Sequence, residues 1–110
     1  MPRLVGLAMA SKLYRTVEIF NDTKFSVNGN EVAWGTIGNA STSEGLFFES
    51  LNAAGVHQVP MVISVCDDEY GISVDNSFQT IKGSISEALA GFKRTKTKSG
   101  FEIFKVKGWD

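Results

Sequence analysis

The sequence predicts a small α/β layer, an open and mostly parallel sheet with flanking helices. Two observations carry this. A β-rich run from Glu31 to Ile37 ends at Gly38, an apolar helical stretch follows, and a second apolar run extends from Met61 to Cys66. That order of strand, helix and strand makes a right-handed crossover in a parallel sheet. Each apolar run also passes directly into a polar segment, Gly38-Asn39-Ala40-Ser41-Thr42-Ser43-Glu44-Gly45 after the first and Asp67-Asp68-Glu69-Tyr70-Gly71-Ile72-Ser73 after the second. Both segments therefore fall where a strand ends, the edge at which open α/β sheets hold their ligands.

The elements follow in order. Leu4, Ala8 and Leu13, with Val5 and Met9 beside them, mark an N-terminal helix with a wide apolar face, and Gly6 and Ala10 allow it to pack closely. A faint signal-peptide look around Ala8-Met9-Ala10 is outweighed, because the apolar run is short and passes straight into Ser11-Lys12-Leu13-Tyr14-Arg15. Between Arg15 and Glu31, turn signals stand at Asn21-Asp22 and Asn28-Gly29-Asn30. Val17, Ile19 and Phe20, then Phe25 and Val27, have the composition of a short ribbon. After Gly38, Ser41 and Glu44 have capping-box spacing. Phe47, Leu51 and Ala54 continue at helical spacing, with Leu46, Phe48 and Val56 widening the apolar surface. Gly55 and His57 close that helix, and Pro60 precedes the second strand. Ser84 and Glu87 predict a second capping box and a helix to about Phe92, Lys93 to Ser99 reads as a solvated connection, and Glu102 to Lys107 reads as a last strand.

Composition narrows the function classes. A chain of 110 residues makes one domain at most, here residues 1–110, and can bury a single core. Hydrophobic residues at 43% and charged residues at 21% are those of an ordinary globular protein. A net charge of −1 offers no electrostatic case for nucleic acid or an anionic membrane, so neither is expected as a partner. No run is long enough to cross a bilayer. The single cysteine, Cys66, makes no intramolecular disulfide and fits a reducing compartment, so a cytoplasmic location is expected.

Several reactive residue types have ordinary structural readings. His57, the only histidine, falls at a helix end, where contact with the helix dipole is expected before catalysis. Cys66 has no histidine nearby and ends an apolar strand, so it reads as core. Trp34 and Trp109 read as packing or interface residues. Neither the phosphate-loop pattern nor Gly-x-Gly-x-x-Gly is present, which argues against ordinary nucleotide binding. The two strand-end segments remain. One oxygen-ligand side chain from each segment, here Asn39 and Asp68, is what a hard cation carrying a diphosphate needs. The helix start around Thr42 to Glu44 is expected to add unpaired N–H donors at the positive end of a dipole.

From Gly38 through Ser73 the chain resembles the thiamine-diphosphate-binding motif of the 2-oxo acid dehydrogenase first component, alpha-type. That motif opens with Gly-Asp-Gly and closes with Asn-Asn. Between them it carries Ser-Glu-Gly, a helical Glu with Asn further on, and a Pro before an apolar strand. Here Ser43-Glu44-Gly45, Glu49, Asn52, Ala54 and Pro60 stand in the same order, Asp67-Asp68 occupies the place of the Asn pair, and Tyr70-Gly71-Ile72-Ser73 resembles the family's Tyr-Ala-Ile-Ser. More weakly, Met1 to Leu13 resembles the small-residue helix before the motif, and Val106-Lys107-Gly108-Trp109-Asp110 resembles the family's Val-Asp-Gly-x-Asp turn.

The resemblance implies a fragment of a thiamine-diphosphate-binding fold, with Asn39, Asp68 and the Tyr70 carbonyl as ligands of Mg²⁺. It further implies that Gly38, Ala40, Ser41, Gly71 and Ile72 line the cofactor. Relative to the motif, the amide and the carboxylate of Asn39 and Asp68 have changed places, which keeps one anionic and one neutral oxygen for the metal. Strand alternation would turn Asp67 and Asp68 to opposite sides. Ala40 replaces the motif's last glycine; either its φ is negative or it loosens the cradle. The implied activity is oxidative decarboxylation of a 2-oxo acid substrate, with acyl transfer to a lipoyl-bearing acyltransferase component. A second domain or subunit completes the thiamine site in that family, and no catalytic residue is assigned in this chain. The alternatives are a non-catalytic, truncated module that needs a partner, and a plain α/β interaction domain without metal dependence.

Overall fold

In a computed structural model that describes residues 1–20 and 22–109, the strand–helix–strand unit forms as the sequence predicts. Helix α1 spans Pro2–Thr16, strand β1 Ala33–Gly38, helix α2 Gly45–His57 and strand β2 Met61–Cys66. The strands pair in parallel, in register from Ala33 opposite Met61 to Gly38 opposite Cys66. A two-residue-per-strand hairpin follows, β3 (Tyr70–Gly71) against β4 (Val74–Asp75), and then a short helix α3 (Ile85–Ala88). The architecture is thus a small α/β fragment: a parallel pair with flanking helices.

The apolar spacing explains what is buried. Ala8 of α1, Phe47, Leu51 and Ala54 of α2, and Ile85 of α3 form the core. Pro2 starts α1 where its missing N–H costs nothing. Leu4 lies on β1 at Gly35, where a Cβ would come within 2.8 Å of a Leu4 methyl, so the helix sits close to the strand because Gly35 has no side chain. Leu13, expected on the apolar face, is exposed, and Ser11 is buried instead. Its hydroxyl donates to the carbonyls of Gly29 (3.1 Å) and Glu31 (2.7 Å). At its far end α2 stops with Gln58 in the left-handed conformation, while Gly55 stays inside the helix. The Lys12 ammonium donates to the His57 carbonyl, so the charge at this helix end comes from Lys12 rather than from the exposed imidazole.

Three expectations are corrected. The ribbon over residues 17–27 does not form; Glu18–Phe20 is a 3-10 turn and the following chain folds back over α1. What forms instead is a loop tied to α1 just past that segment, where Ser11 and Arg15 both donate to the Gly29 carbonyl. Asn28 and Gly29 do turn, both at positive φ, and a Cβ at Gly29 would lie 2.6 Å from the Arg15 nitrogen. The other turn signal includes Asn21, which lies outside the described residues. The capping box at Ser41 and Glu44 does not form, because a 3-10 turn over Ala40–Ser43 intervenes and α2 begins only at Gly45, with Glu44 extended and making no side-chain cap. The last strand is also absent. Only an isolated bridge joins Lys93 to Phe101, Phe104 and Val106 are exposed, and residues 102–107 form no ladder. Asp110, the end of the Val-Lys-Gly-Trp-Asp resemblance, lies outside the described residues.

The second predicted helix is partly borne out. The Ser84 hydroxyl accepts from the Glu87 N–H at 3.4 Å, but the helix breaks at Leu89 and continues as a 3-10 turn over Ala90–Phe92. An apolar groove of about 900 Å³ runs between α2, β2 and the chain at 101–104.

The loop that replaces the ribbon carries a pH prediction. The Glu31 carboxylate accepts from the Val27 N–H at 2.6 Å and from the Ser26 hydroxyl at 2.8 Å. The Val27 bond first, then its own backbone N–H and Ser26, hold Glu31 below the ordinary glutamate value. A lowered folded pKa adds stability that is in place above the unfolded value, 4.5, and is lost as pH falls through the folded one. The Val27 amide shift, followed by NMR, should therefore titrate with a midpoint below 4.5 and lose that step in Glu31→Gln. A midpoint at or above 4.5 would contradict the hydrogen bonds.

Candidate functional site

The two polar segments meet at the carboxyl edge of the parallel pair. The Asn39 N–H donates to the Cys66 carbonyl at 3.1 Å, carrying the β1–β2 ladder one residue past Gly38. Asn39 then turns into the right-handed helical region, and its carbonyl accepts from the Thr42 N–H (3.0 Å) and hydroxyl (2.6 Å). These bonds bury Asn39. Its side-chain Nδ2 is enclosed with no partner among the described residues, an orphan that a buried amide does not ordinarily keep.

Gly38, Ala40 and Ser41 surround Asn39. Gly38 and Ser41 are exposed, and Ala40 is half-buried. Ala40 is not at positive φ, so alanine fits there without strain. The N–H groups of Ala40 and Ser41 precede the first bond of the 3-10 turn, and nothing among the described residues accepts from them. The expected donors at 42–44 are largely spent, since Thr42 donates to Asn39 and Glu44 to Ser41. The exposed donors thus lie two residues earlier than the sequence indicates.

Across the edge, β2 ends at Cys66 and strand alternation ends with it. Asp67 and Asp68 are both exposed, and each closes a local turn: an Asp67 oxygen accepts from the Glu69 N–H at 3.0 Å, and an Asp68 oxygen from the Tyr70 N–H at 3.2 Å. The expectation that they face opposite sides therefore lapses. Cys66 is exposed rather than core, because it stands on the last rung of the sheet. The Asn76 N–H donates to the Glu69 carbonyl at 2.8 Å, which makes Glu69 and Asn76 a hydrogen-bonded pair of the hairpin. Alternation then puts Tyr70, opposite Asp75, at a non-hydrogen-bonded position. Its N–H is used by Asp68, and its carbonyl is left outside the ladder.

At the hairpin tip, Ile72 is fully exposed at φ 58°, a left-handed conformation that a β-branched residue rarely takes. Beyond β4, the Asp75 carboxylate caps the turn at 76–78 through the Ser77 hydroxyl (2.5 Å) and N–H (2.9 Å). These bonds, the hydroxyl first, hold Asp75 below the ordinary aspartate value. Two residues with structural roles here carried no periodicity or motif signal: Asn76, buried, and Gln79, whose amide donates to the Val74 carbonyl at 2.8 Å; Ser43, named only by the Ser43-Glu44-Gly45 match, donates its hydroxyl to the Gln79 carbonyl at 2.9 Å.

Among the described residues, no three His, Cys, Asp or Glu side chains gather to hold a metal. The ligands that the resemblance implies are instead one carboxylate, Asp68, one amide, Asn39, and a carbonyl, Tyr70. That donor set of hard oxygens suits Mg²⁺ and leaves places for phosphate and water.

The segments pack against each other at Gly71, where a Cβ would lie 2.6 Å from the Ala40 Cβ and 2.6 Å from the Gln79 amide nitrogen. The resembled motif has glycine at the Ala40 position and alanine at the Gly71 position. The methyl group has changed sides, and one methyl still fills the gap. Gly71→Ala should therefore destabilise the chain by roughly 1–3 kcal/mol through overpacking. Adding Ala40→Gly should return part of that loss, with the Gln79 contact accounting for the rest. Urea unfolding of the two single variants and the double variant measures the coupling, and strictly additive effects would refute the contact.

The dehydrogenase E1 component family matches residues 1–96. Among characterised proteins, the chain is 36% identical over 85 residues to the pyruvate dehydrogenase E1 component subunit alpha of Acholeplasma laidlawii, covering 77% of this chain and 20% of that protein. It is 27% identical over 92 residues to the 2-oxoisovalerate dehydrogenase subunit alpha of Bacillus subtilis (strain 168), covering 84% of this chain and 24% of that protein. The match thus spans a fifth to a quarter of these relatives. With most of its length matched, the chain belongs to the dehydrogenase E1 component family, as a fragment of its alpha type.

Proposed function

We propose that this chain is the part of a 2-oxo acid dehydrogenase that anchors the Mg²⁺–diphosphate end of thiamine diphosphate. The observation that carries the reading is the meeting of the two segments: Asn39 bonded to Cys66, and Ala40 packed on Gly71, at the carboxyl edge of two adjacent parallel strands. Asn39, through its side-chain oxygen, and Asp68 hold the metal from opposite segments, with the Tyr70 carbonyl as a third ligand. The free N–H groups of Ala40 and Ser41 face the diphosphate, Gly38 keeps the approach open, and Gly71 and Ile72 line the far wall.

Each residue has a physical task in this reading. Asp68 supplies the one protein anion of the donor set, and its bond to the Tyr70 N–H keeps carboxylate and carbonyl together. The buried Asn39 amide is fixed by its backbone, so it meets the cation with little entropy left to lose. Asp67 and Glu69 add negative charge that repels a bare diphosphate, which makes binding depend on the metal. When bound, thiamine diphosphate supplies the nucleophilic carbon and the electron sink that decarboxylation of a 2-oxo acid needs. His57, at the opposite end of α2, is remote from the edge, so this chain contributes anchoring rather than proton transfer.

The acyl group passes in this proposal to a lipoyl group on a partner acyltransferase, and a second domain or subunit completes the thiamine site. Pyruvate and branched-chain 2-oxo acids are both compatible with the anchor, which touches no substrate. A cytoplasmic setting agrees with the unpaired Cys66, and no helix among the described residues is long and apolar enough to cross a membrane. A second reading, a cofactor-binding module without turnover, shares the anchor and differs only in lacking the partner.

Calorimetric titration of the chain tests the anchor. Thiamine diphosphate and inorganic pyrophosphate should bind with similar affinity, only with Mg²⁺, since this chain holds the shared diphosphate end. Asp68→Ala and Asn39→Ala should each weaken binding on the order of 10–100-fold, at least what losing an outer-sphere partner does at metal sites. Binding that persists in chelator, or that Asp68→Ala leaves intact, would overturn the assignment.

A further inference from the structure

The two ligand-bearing segments are not joined by the sheet alone. Only the Asn39–Cys66 bond of the ladder reaches them, and the β3–β4 hairpin, which carries Tyr70, Gly71 and Ile72, begins four residues beyond Cys66. Something else must hold the hairpin against the turn at 40–43. Gln79 is placed to do this from both of its ends. Its side-chain amide donates to Val74, the hairpin residue opposite Gly71, at 2.8 Å. Its main-chain carbonyl accepts from the Ser43 hydroxyl, on the turn, at 2.9 Å. The same amide lies where a Gly71 Cβ would stand, 2.6 Å from that point, beside the Ala40 methyl. Gln79 itself is held, because its N–H donates to the carbonyl of the buried Asn76 at 3.0 Å.

We propose that Gln79 is a positioning residue, a clasp that sets the distance between the Asn39–Ser41 turn and the Asp68–Ile72 hairpin and so the fit of a metal-bound diphosphate between them. The inference rests on the proposed anchor. Gln79 touches neither metal nor diphosphate in this arrangement; it acts through Val74, Ser43 and Gly71. The clasp has two separable arms. Gln79→Ala and Gln79→Met both remove the donor to Val74, while Met keeps most of the bulk over Gly71. Ser43→Ala removes the bond to the Gln79 carbonyl and leaves the Gln79 side chain untouched.

The test uses the whole chain, with Mn²⁺ and pyrophosphate as paramagnetic probe and ligand. In the wild type, Mn²⁺ should broaden the NMR amide signals of both Ala40 and Tyr70. In Gln79→Met and Ser43→Ala, thermal unfolding should stay close to wild type, while metal–pyrophosphate affinity falls roughly three- to tenfold, the scale of one hydrogen bond. Broadening at Tyr70 should weaken relative to that at Ala40, a change that a loss of general stability would not produce. Without any ligand, the amides of Gly71 and Asn76 should exchange faster in Gln79→Met. Equal broadening, affinity and exchange in wild type and variants would overturn the clasp while leaving the anchor standing. No broadening in the wild type would overturn the anchor, and the role of the clasp with it; the exchange rates would then report only whether Gln79 holds the hairpin.

Discussion

The parallel pairing of β1 with β2 is the constraint on which the site depends. A parallel pair cannot be closed by a tight turn, so the chain between the strands must travel back along the sheet, and α2 is that return. The register from Ala33–Met61 to Gly38–Cys66 brings both strand ends to the same level. The polar residues after each strand then leave the sheet side by side. The final bond, from Asn39 to Cys66, belongs to the ladder and to the site at once. Every element earlier in the chain serves to hold that register. Leu4 on Gly35 seats α1 against β1, and Phe47, Leu51 and Ala54 give α2 its buried face.

The elements legible in the sequence are those whose signal is local and repeated. The apolar spacing of Phe47, Leu51 and Ala54 names both a helix and its buried face, and Pro60 marks the start of β2 to the residue. The misreadings share a different cause, because each depended on a partner that periodicity does not reveal. A strand over 102–107 needs a bonded neighbour, and none of those residues joins a ladder. The ribbon at 17–27 gives way to a loop that α1 ties down through the Gly29 carbonyl. Ser41 and Glu44 have the spacing of a capping box, but Thr42 bonds back to Asn39 and tightens the chain into a 3-10 turn before α2 can start. The site was legible as two segments and their order; how they touch, through Ala40, Gly71 and Gln79, was not, since those contacts cross more than thirty residues of chain.

Two departures from the resembled motif are paired across the same gap. Asn39 and Asp68 exchange an amide for a carboxylate, and Ala40 and Gly71 exchange a hydrogen for a methyl. The first exchange conserves charge, and the second conserves volume. Steric pairing has direct support, because a methyl at Gly71 would collide with the one at Ala40. Taken singly, an alanine in place of a glycine beside a phosphate would count against function. Taken with Gly71, it places the methyl on the other wall of the same contact. Compensation of this kind preserves a shape that neither segment specifies alone.

The hairpin tip shows where the fold is under tension. Glu69 and Ile72 both stand at positive φ within four residues, and Ile72 presents its whole side chain to solvent. A left-handed, non-glycine residue costs about 1–2 kcal/mol, and a solvated isoleucine gains nothing in return. Glycine at that position would relieve the strain. The conformation persists because its surroundings dictate it: the pairing of Gly71 with Val74, the Asp68 turn onto Tyr70, and the Gln79 amide over Gly71 leave the tip no other path. Strain of this sort concentrates where a chain must present a group rather than bury it. Ile72 is held out at the same edge as Asn39 and Asp68 by the pairing of the hairpin and by Gln79, not by any burial of its own side chain.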